Sequence, residues 1–202
     1  RGFSFQGEGP LDMRLDQTQD VTAATLLNEL SDRELKRLFD EGGVGYPSRT
    51  LAAKVIAARP FSTTAQFAAV CEQVLGFRNG KRGGDKKGGK PKNPATVPFQ
   101  ALRIAVNREF EAINQLLDQL PELLAPQGRA AIIAFHSLED RLVARRMRDW
   151  ELPEEVRDLP LRESERERGF GTLLTKKAVA PTEFEQKQNP RSRSARLRVF
   201  AR

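Results

Sequence analysis

A short apolar run at residues 130–135 constrains the fold of this chain more than any other feature. It reads Ala-Ala-Ile-Ile-Ala-Phe and follows a turn, a pattern typical of a strand buried on both faces. A long amphipathic helix is predicted before it, over residues 96–120, because apolar side chains recur every three or four residues up to Pro121. A second helix is predicted after it, with Ser137 in its N-terminal cap. The sequence therefore predicts a helix–strand–helix unit of an α/β domain.

One buried strand is too little for a complete domain of this class, because an open sheet has about five or six strands. Residues 195–201 alternate between polar and apolar side chains, as an edge or half-exposed strand does, and a partner strand is predicted to end at Ala178-Val179. We therefore expect either an unusual fold or the later part of a larger α/β domain whose first strands precede Arg1.

The region before the basic segment is predicted to be a small helical cluster, over residues 17–76. Its helices are marked by capping signals and by breaks. The signals are Thr22, the capping box Ser31 to Glu34, the break Gly42 to Pro47, the stop at Pro60 and a new start at Ser62-Thr63.

Composition excludes several classes of protein. The chain is 39% hydrophobic and 30% charged, and no run approaches the roughly 18 consecutive apolar residues of a membrane helix. No signal peptide is predicted at the start. A single cysteine, Cys71, forms no internal disulfide, and with His136 as the only histidine a Cys/His metal site is nearly excluded.

The formal charge of +7 is concentrated in two segments. Residues 78–92 contain seven basic residues and one acid, Asp85, for a net +6, and residues 191–202 contain five arginines and no acid. The first segment also has five glycines and no apolar residue after Phe77, which favours a mobile loop. Local basic patches of this kind indicate nucleic acid as the partner.

The phrase from Phe135 to Asp140 lies where the predicted strand delivers its carboxyl end to a helix, the place where open α/β sheets bind ligands. A purely structural interpretation is also open, with Ser137 as an ordinary cap, His136 as a loop residue and Glu139 and Asp140 complementing the helix dipole. Hydrolase chemistry by a Ser–His pair is disfavoured, because no orienting acid or oxyanion hole is indicated.

Two further phrases carry polar chemistry. Asn189-Pro190 followed by Arg191, Ser192 and Arg193 offers guanidinium and hydroxyl groups suited to phosphate, although a solvated basic tail has the same composition. Residues 12–16 place two carboxylates around Arg14, which favours an internal ion pair.

Three phrases, taken in their order along the chain, closely resemble the RsmH (MraW) family. They are Arg1-Gly2-Phe3-Ser4-Phe5 with Gly9 to Arg14, Pro94-Ala95-Thr96 with Phe99 to Asn107, and Phe135 to Arg141 with Asn189 to Ser194. Members of this family are S-adenosylmethionine-dependent methyltransferases that modify the N4 amine of a cytosine in small-subunit (16S) rRNA. The resemblance implies a class I Rossmann-like methyltransferase domain, partial in this chain, with a helical insert domain.

The resemblance also implies a domain plan. Residues 1–16 would be a loop closing the first half of the methyltransferase domain, residues 17–95 the substrate-recognition insert with its basic loop 78–92, and residues 96–202 the C-terminal part of the methyltransferase domain. The glycine-rich cofactor loop and the acid that holds the cofactor ribose would precede Arg1, with Phe3 and Phe5 adjacent to the S-adenosylmethionine site.

The implied roles divide into a base pocket and an RNA surface. His136 and Ser137 would line the target-base pocket, with Phe3 and Phe5 stacking on the base. RNA would be bound by Lys81, Arg82, Lys86, Lys87, Arg191, Ser192 and Arg193. Departures from the family's phrases at Tyr46-Pro47, Asn93 and Val97-Pro98 indicate a divergent member in which the basic loop takes over part of the RNA contact.

The expected partner is the rRNA of the small ribosomal subunit, in the cytoplasm and away from membranes. The oligomeric state, with a homodimer as one candidate, is left open. The alternative function is a non-catalytic module that binds RNA or the ribosome.

Overall fold

The computed structural model describes residues 8–76, 93–152, 160 and 169–202. The chain divides into two compact units, residues 1–109 and residues 110–202. In the part of the chain that the structure describes, no helix has the length and apolar character needed to cross a membrane.

The first unit is helical, as predicted for residues 17–76. The capping signals act where they were predicted, since the side chains of Thr22, Ser31 and Thr63 each accept a hydrogen bond from the backbone N–H three residues on. The helices are α1 (Ala23–Glu29), α2 (Asp32–Glu41), α3 (Ser48–Ala58), α4 (Thr64–Cys71) with a π-helical turn (Glu72–Gly76), and α5 (Thr96–Val106).

The core of this unit includes residues from outside the predicted cluster. Phe67 contacts both Phe39 and Phe99, with ring centroids 6.2 and 5.0 Å away. Leu11 and Met13 are buried in the same core. Helix α5 packs so closely on the end of α2 that a Cβ on Gly42 would overlap Ala101. Residues 8–16 and α5 therefore lie with the helices, so the unit extends beyond residues 17–95.

The single helix predicted over residues 96–120 is wrong, because the chain breaks at Asn107-Arg108. Arg108 has φ = 51°, a left-handed conformation that ends helices. The Asn107 amide donates to the carbonyls of Met13 and Arg103, each at 2.8 Å, and its oxygen accepts from Leu15 N–H at 2.7 Å. Long-range hydrogen bonds thus replace continuation of the helix.

The second unit contains the predicted helix–strand–helix, which is confirmed. Helix α6 begins directly after the break and continues past Pro121, where we predicted its end. The elements are α6 (Glu109–Leu123), β1 (Arg129–Ala134), α7 (Ser137–Glu151), β2 (Thr172–Leu173), α8 (Glu183–Gln188), a 3₁₀ turn (Pro190–Ser194) and β3 (Arg196–Ala201).

The sheet has the order β1-β3-β2, with both pairs antiparallel. Strand β3 was predicted to be an edge or half-exposed strand; it is half-exposed, with four of its six residues partly buried, but it is central rather than at an edge of the sheet formed by the described residues. The partner predicted to end near Val179 is reduced to a single bridge with Leu197. The prediction that β1 is buried on both faces is also wrong for this chain, because Ile133 is 57% exposed.

The core of the second unit lies between this sheet and helices α6 and α7. Its centre is an aromatic cluster in which Trp150, Phe170 and Phe200 have ring centroids 5.1 to 5.6 Å apart. Leu117, Val143 and Met147 belong to the same buried cluster. The cluster fixes α7 on the sheet and so fixes the point at which β1 meets the start of that helix.

Candidate functional site

The carboxyl end of β1 passes directly into α7, and His136 occupies the junction. His136 has extended backbone (φ = −141°) and is the N-cap, since its Nδ1 accepts a hydrogen bond from Glu139 N–H at 3.3 Å. The expectation that Ser137 caps this helix is therefore wrong, and Ser137 is the first helical residue. An imidazole can replace the usual hydroxyl because its unprotonated nitrogen is an acceptor within reach of the helix start.

Glu139 completes a capping box from the other side. Its Oε2 accepts hydrogen bonds from the backbone N–H groups of Phe135 and His136, at 2.9 and 3.2 Å. Burial raises the pKa of Glu139, but contact with the His136 ring and the Phe135 N–H outweighs it and holds that pKa below its ordinary range. Glu139 is therefore ionised at neutral pH.

The hydrogen bonds also fix the state of the His136 ring. With Nδ1 accepting, the proton of the neutral ring belongs on Nε2, which lies 3.1 Å from Glu139 Oε1. This contact is too poorly aligned for a hydrogen bond, and Nε2 has no other partner among the described residues although it is buried. Neither ring nitrogen has a lone pair available for a substrate proton, so this conformation suits His136 for positioning rather than for general-base catalysis.

A cavity of about 230 Å³ adjoins Glu139 within the second unit. It is bounded by α6, the end of β1 and the first turns of α7, and Glu139 is the one charged residue among the described residues that line it. The apolar lining residues are Ile113, Leu116, Leu117, Ile132, Ile133, Ala134 and Val143. An apolar cavity with a single carboxylate at a strand end is a common form of small-ligand site.

The second candidate group, residues 189–194, forms a tight turn rather than a loose tail. Asn189 Oδ1 accepts from Arg191 N–H at 3.3 Å, and Ser192 Oγ donates to the Asn189 carbonyl at 2.8 Å. Ser192 is 5% exposed, so its hydroxyl serves the turn. Arg191 and Arg193 are exposed, and neither forms an ion pair with any residue the structure describes.

The predicted ion pair near the start of the chain is confirmed as a structural feature. Arg14 Nε and Nη2 donate to the two carboxylate oxygens of Asp12, at 2.7 and 2.9 Å. These hydrogen bonds hold the pKa of Asp12 below its ordinary value. Asp16 is not part of the pair and instead accepts from Thr18.

Several predicted site residues lie outside the described part of the chain, namely Phe3, Phe5, Lys81, Arg82, Lys86 and Lys87. Their roles stay predictions. Sequence reasoning missed two features: Glu139 as a partner of the His136 ring, and Phe184, which is 72% exposed on α8. The capping-box spacing from His136 to Glu139 was the available signal for the first, whereas nothing in the sequence pattern marks Phe184.

Fold and site together define an α/β protein with a candidate ligand site at the carboxyl end of a strand and a basic turn before its last strand. The whole chain, residues 1–202, matches the family model described as the MraW methylase family. The chain therefore belongs to the MraW methylase family, which confirms the resemblance seen in its three phrases.

Curated relatives agree with this assignment. A protein of Rippkaea orientalis is 43% identical over 204 residues, covering all of this chain and 58% of the relative. A protein of Novosphingobium aromaticivorans is 43% identical over 205 residues, covering all of this chain and 60% of the relative. Both are named ribosomal RNA small subunit methyltransferase H. The chain thus spans somewhat more than half the length of these relatives.

Proposed function

We propose that the protein carrying this chain transfers a methyl group from S-adenosylmethionine to the N4 amine of a cytosine in small-subunit (16S) rRNA. The family match over all 202 residues carries this proposal. Relatives with 43% identity and a name that specifies small-subunit ribosomal RNA methylation support the choice of substrate. The cytoplasm follows as the place of action, because the proposed substrate is ribosomal RNA.

The second unit would form the closing edge of a Rossmann-like methyltransferase sheet. Strand β1 pairs with β3 on one edge, and no described residue pairs with its other edge. Ile133 is exposed on one face of β1, and a cavity adjoins the end of the strand, so further elements of a complete domain would cover this apolar surface. The relatives are long enough to supply those elements, and the helical first unit fits the role of an insert, proposed for residues 17–95.

The described residues do not form a complete S-adenosylmethionine site by themselves. The cavity beside β1 is apolar apart from Glu139, whereas a sulfonium cofactor with a ribose, an adenine and an amino-acid group needs several polar partners. The cofactor is proposed on family membership, and its chemical contribution is an electrophilic methyl group. The roles proposed for this chain's own residues concern the acceptor base.

Positioning the acceptor is the main task of these residues. The lone pair of a cytosine amine is delocalised into the ring, so the base must be held with its amine aligned to the methyl donor. His136, fixed by the cap and by Glu139, would hold the pocket edge in place, and the exposed Ser137 would supply polar contacts there. Arg191 and Arg193 would hold flanking phosphates, while Ser192 keeps the turn that presents them.

The substrate class is tested by incubating the complete protein with S-adenosylmethionine labelled in its methyl group. Purified small and large ribosomal subunits are offered in parallel. The proposal predicts label in the RNA of the small subunit and none in the RNA of the large subunit. Label in both, or only in the large subunit, would contradict the proposed substrate.

The second candidate function, a non-catalytic RNA- or ribosome-binding module, is favoured by the exposed Arg191, Arg193 and Arg196, which have no ion pair among the described residues. Cations presented in this way bind phosphate whether or not a reaction follows. Binding of the small subunit with no transfer of label in the same experiment would select this function.

A further inference from the structure

Residues 182–195 form one continuous, hydrogen-bonded segment on the surface of the second unit. The Thr182 hydroxyl caps α8 by accepting from Glu185 N–H at 3.2 Å, and Asn189 N–H closes the helix on the Glu185 carbonyl at 2.7 Å. The 3₁₀ turn follows at once, with Ser192 N–H donating to the Asn189 carbonyl at 2.9 Å. The backbone that carries Phe184, Arg191 and Arg193 is therefore held by hydrogen bonds at both ends of α8 and in the turn.

This segment carries an exposed aromatic ring. Phe184 is 72% exposed, although a phenyl ring gains free energy from burial. The six residues of α8 rise only about 9 Å, so the ring lies within a few nucleotide lengths of the turn that carries Arg191 and Arg193.

The arginines near the C-terminus divide into two groups. Arg198 is paired with Asp140, and Arg202 donates to the carbonyls of Pro121 and Leu124, so both serve the fold. Arg191 and Arg193 are exposed and have no ion pair within the described part of the chain. Their charge is available to an acidic partner.

We propose that Phe184, Arg191 and Arg193 form a surface for single-stranded RNA, in which the ring stacks on an unpaired base and the two guanidinium groups bind neighbouring phosphates. The choice of RNA as the partner rests on the proposed function. A single strand is required because the face of a base is accessible for stacking only when the base is unstacked. Glu183 and Glu185 place negative charge at the start of α8, so the phosphates bind towards the turn.

The first test measures binding of the complete protein to a fluorescein-labelled single strand of small-subunit rRNA sequence, with the matching duplex for comparison. Phe184→Ala should weaken binding of the single strand about fivefold to a hundredfold, the range for loss of one stacked base, and should barely affect the duplex. Phe184→Trp should bind as well as the unmodified protein. Leu174→Ala, at a residue that is 52% exposed in the same unit, is the matched control and should change nothing.

Fluorescence of the Phe184→Trp variant separates stacking from a structural role. The chain's own Trp150 is buried in the aromatic cluster, so RNA should not reach it, and the same titration of the unmodified protein gives the emission to subtract. Stacking on a base should quench this emission as the single strand is added. Persistent emission, or unchanged binding by Phe184→Ala, would overturn the proposal.

The charge component is tested by replacing Arg191 and Arg193 together with glutamine. The slope of log affinity against log salt should fall by about 0.7 for each phosphate of the single strand that is no longer neutralised. The pair Lys176→Gln and Lys177→Gln removes the same charge from exposed positions elsewhere in the unit and should leave the slope nearly unchanged. If both double replacements change the salt slope equally, the two arginines act only through the general charge of the protein. That result would contradict the proposed binding surface.

Methyl transfer by the unmodified protein distinguishes failure of this surface from failure of the proposed function. If the protein methylates small-subunit RNA but its RNA binding does not depend on Phe184, the proposed surface is wrong and the proposed function stands. Binding that depends on Phe184 without any transfer would keep the surface and reject the methyltransferase.

Discussion

Arg198 on β3 and Asp140 in the first turn of α7 form a bidentate ion pair, with Nε 2.6 Å from Oδ1 and Nη2 3.0 Å from Oδ2. The two side chains are only 12% and 18% exposed. The pair joins the central strand of the described sheet to the helix that His136 caps. It therefore helps to fix the strand end at which we place the target base.

Replacing Asp140 with asparagine should lower the free energy of unfolding by about 2 kcal/mol, because a mostly buried guanidinium loses its counter-charge. Urea denaturation measures the change. The matched control is Asp118→Asn, which breaks the more exposed pair with Arg146, whose side chains are 57% and 37% exposed. That change should cost less than about 1 kcal/mol. Equal losses in the two variants would show that the Asp140 pair adds nothing through its burial.

The sequence predicted correctly where β1 passes into α7, but it predicted the wrong residue as the N-cap of that helix. Serine is the commoner cap, so pattern rules favour Ser137. Which residue becomes the cap depends on where β1 stops, and β1 stops at Ala134 because its register with β3 ends at the pair Ala134 and Arg196. A local pattern does not contain that tertiary pairing.

The helix break at Asn107 could not be predicted from the sequence for the same reason. The apolar spacing continues through the break, and only the long-range bonds of Asn107 to Met13 and Leu15 show why the helix stops there. Positions with local hydrogen-bonding signals were predictable, as the caps at Thr22, Ser31 and Thr63 show. No local sequence pattern indicated that the phenyl ring of Phe184 is exposed, and only the structure shows it.

The proposed role of His136 predicts a moderate loss of activity on substitution. Asparagine is a good N-cap, so His136→Asn should keep the start of α7 intact while removing the ring. The rate of methyl transfer by the complete protein should fall about tenfold to a hundredfold, or roughly 1.4–2.7 kcal/mol, because positioning is lost. Steady-state kinetics with small-subunit RNA provides the measurement, and cofactor affinity should be little changed.

Two outcomes would contradict that role. A loss of about ten-thousandfold with disappearance of a limb in the pH–rate profile would make His136 the general base. An unchanged rate would leave it as a helix cap alone. His136→Ala serves as the comparison, since it removes both ring and cap and should lose stability as well, by about 1 kcal/mol.

The Asp12–Arg14 pair predicts a pH-dependent contribution to stability. Its hydrogen bonds hold the pKa of Asp12 below its ordinary value of 3.8. The stabilisation is complete above that ordinary value and is lost as pH falls towards the lowered pKa of the folded state. Asp12→Asn should therefore cost about 1.5 kcal/mol at neutral pH, and its difference from the unmodified protein should shrink as the pH falls from about 5 to about 2.

Chemical denaturation at a series of pH values tests this prediction. Asp20→Asn, at an exposed position in the same segment, is the control and should change stability by less than about 0.5 kcal/mol. A cost for Asp12→Asn that stays constant down to the lowest pH would mean that the ionised carboxylate is not what stabilises the turn.

The basic residues of segment 78–92, which lies outside the part of the chain that the structure describes, are predicted to increase RNA affinity through release of counterions. Replacing Lys81, Arg82, Lys86 and Lys87 with serine should flatten the salt dependence of binding, by about 0.7–0.9 in slope for each phosphate that these side chains neutralise. Affinity should fall alike for RNAs of different sequence, as measured by titration at several salt concentrations. If slope and affinity stay the same, the loop does not contact RNA.

The position of the transferred methyl group tests the central claim most directly. Small-subunit RNA treated with the complete protein and S-adenosylmethionine is digested to nucleosides, which are separated and identified by mass against synthetic standards. We predict a single new nucleoside, cytidine methylated on N4, and its absence when the cofactor is left out. A methyl group on a ring carbon, on a ribose or on another base, or no methylated nucleoside at all, would contradict the account.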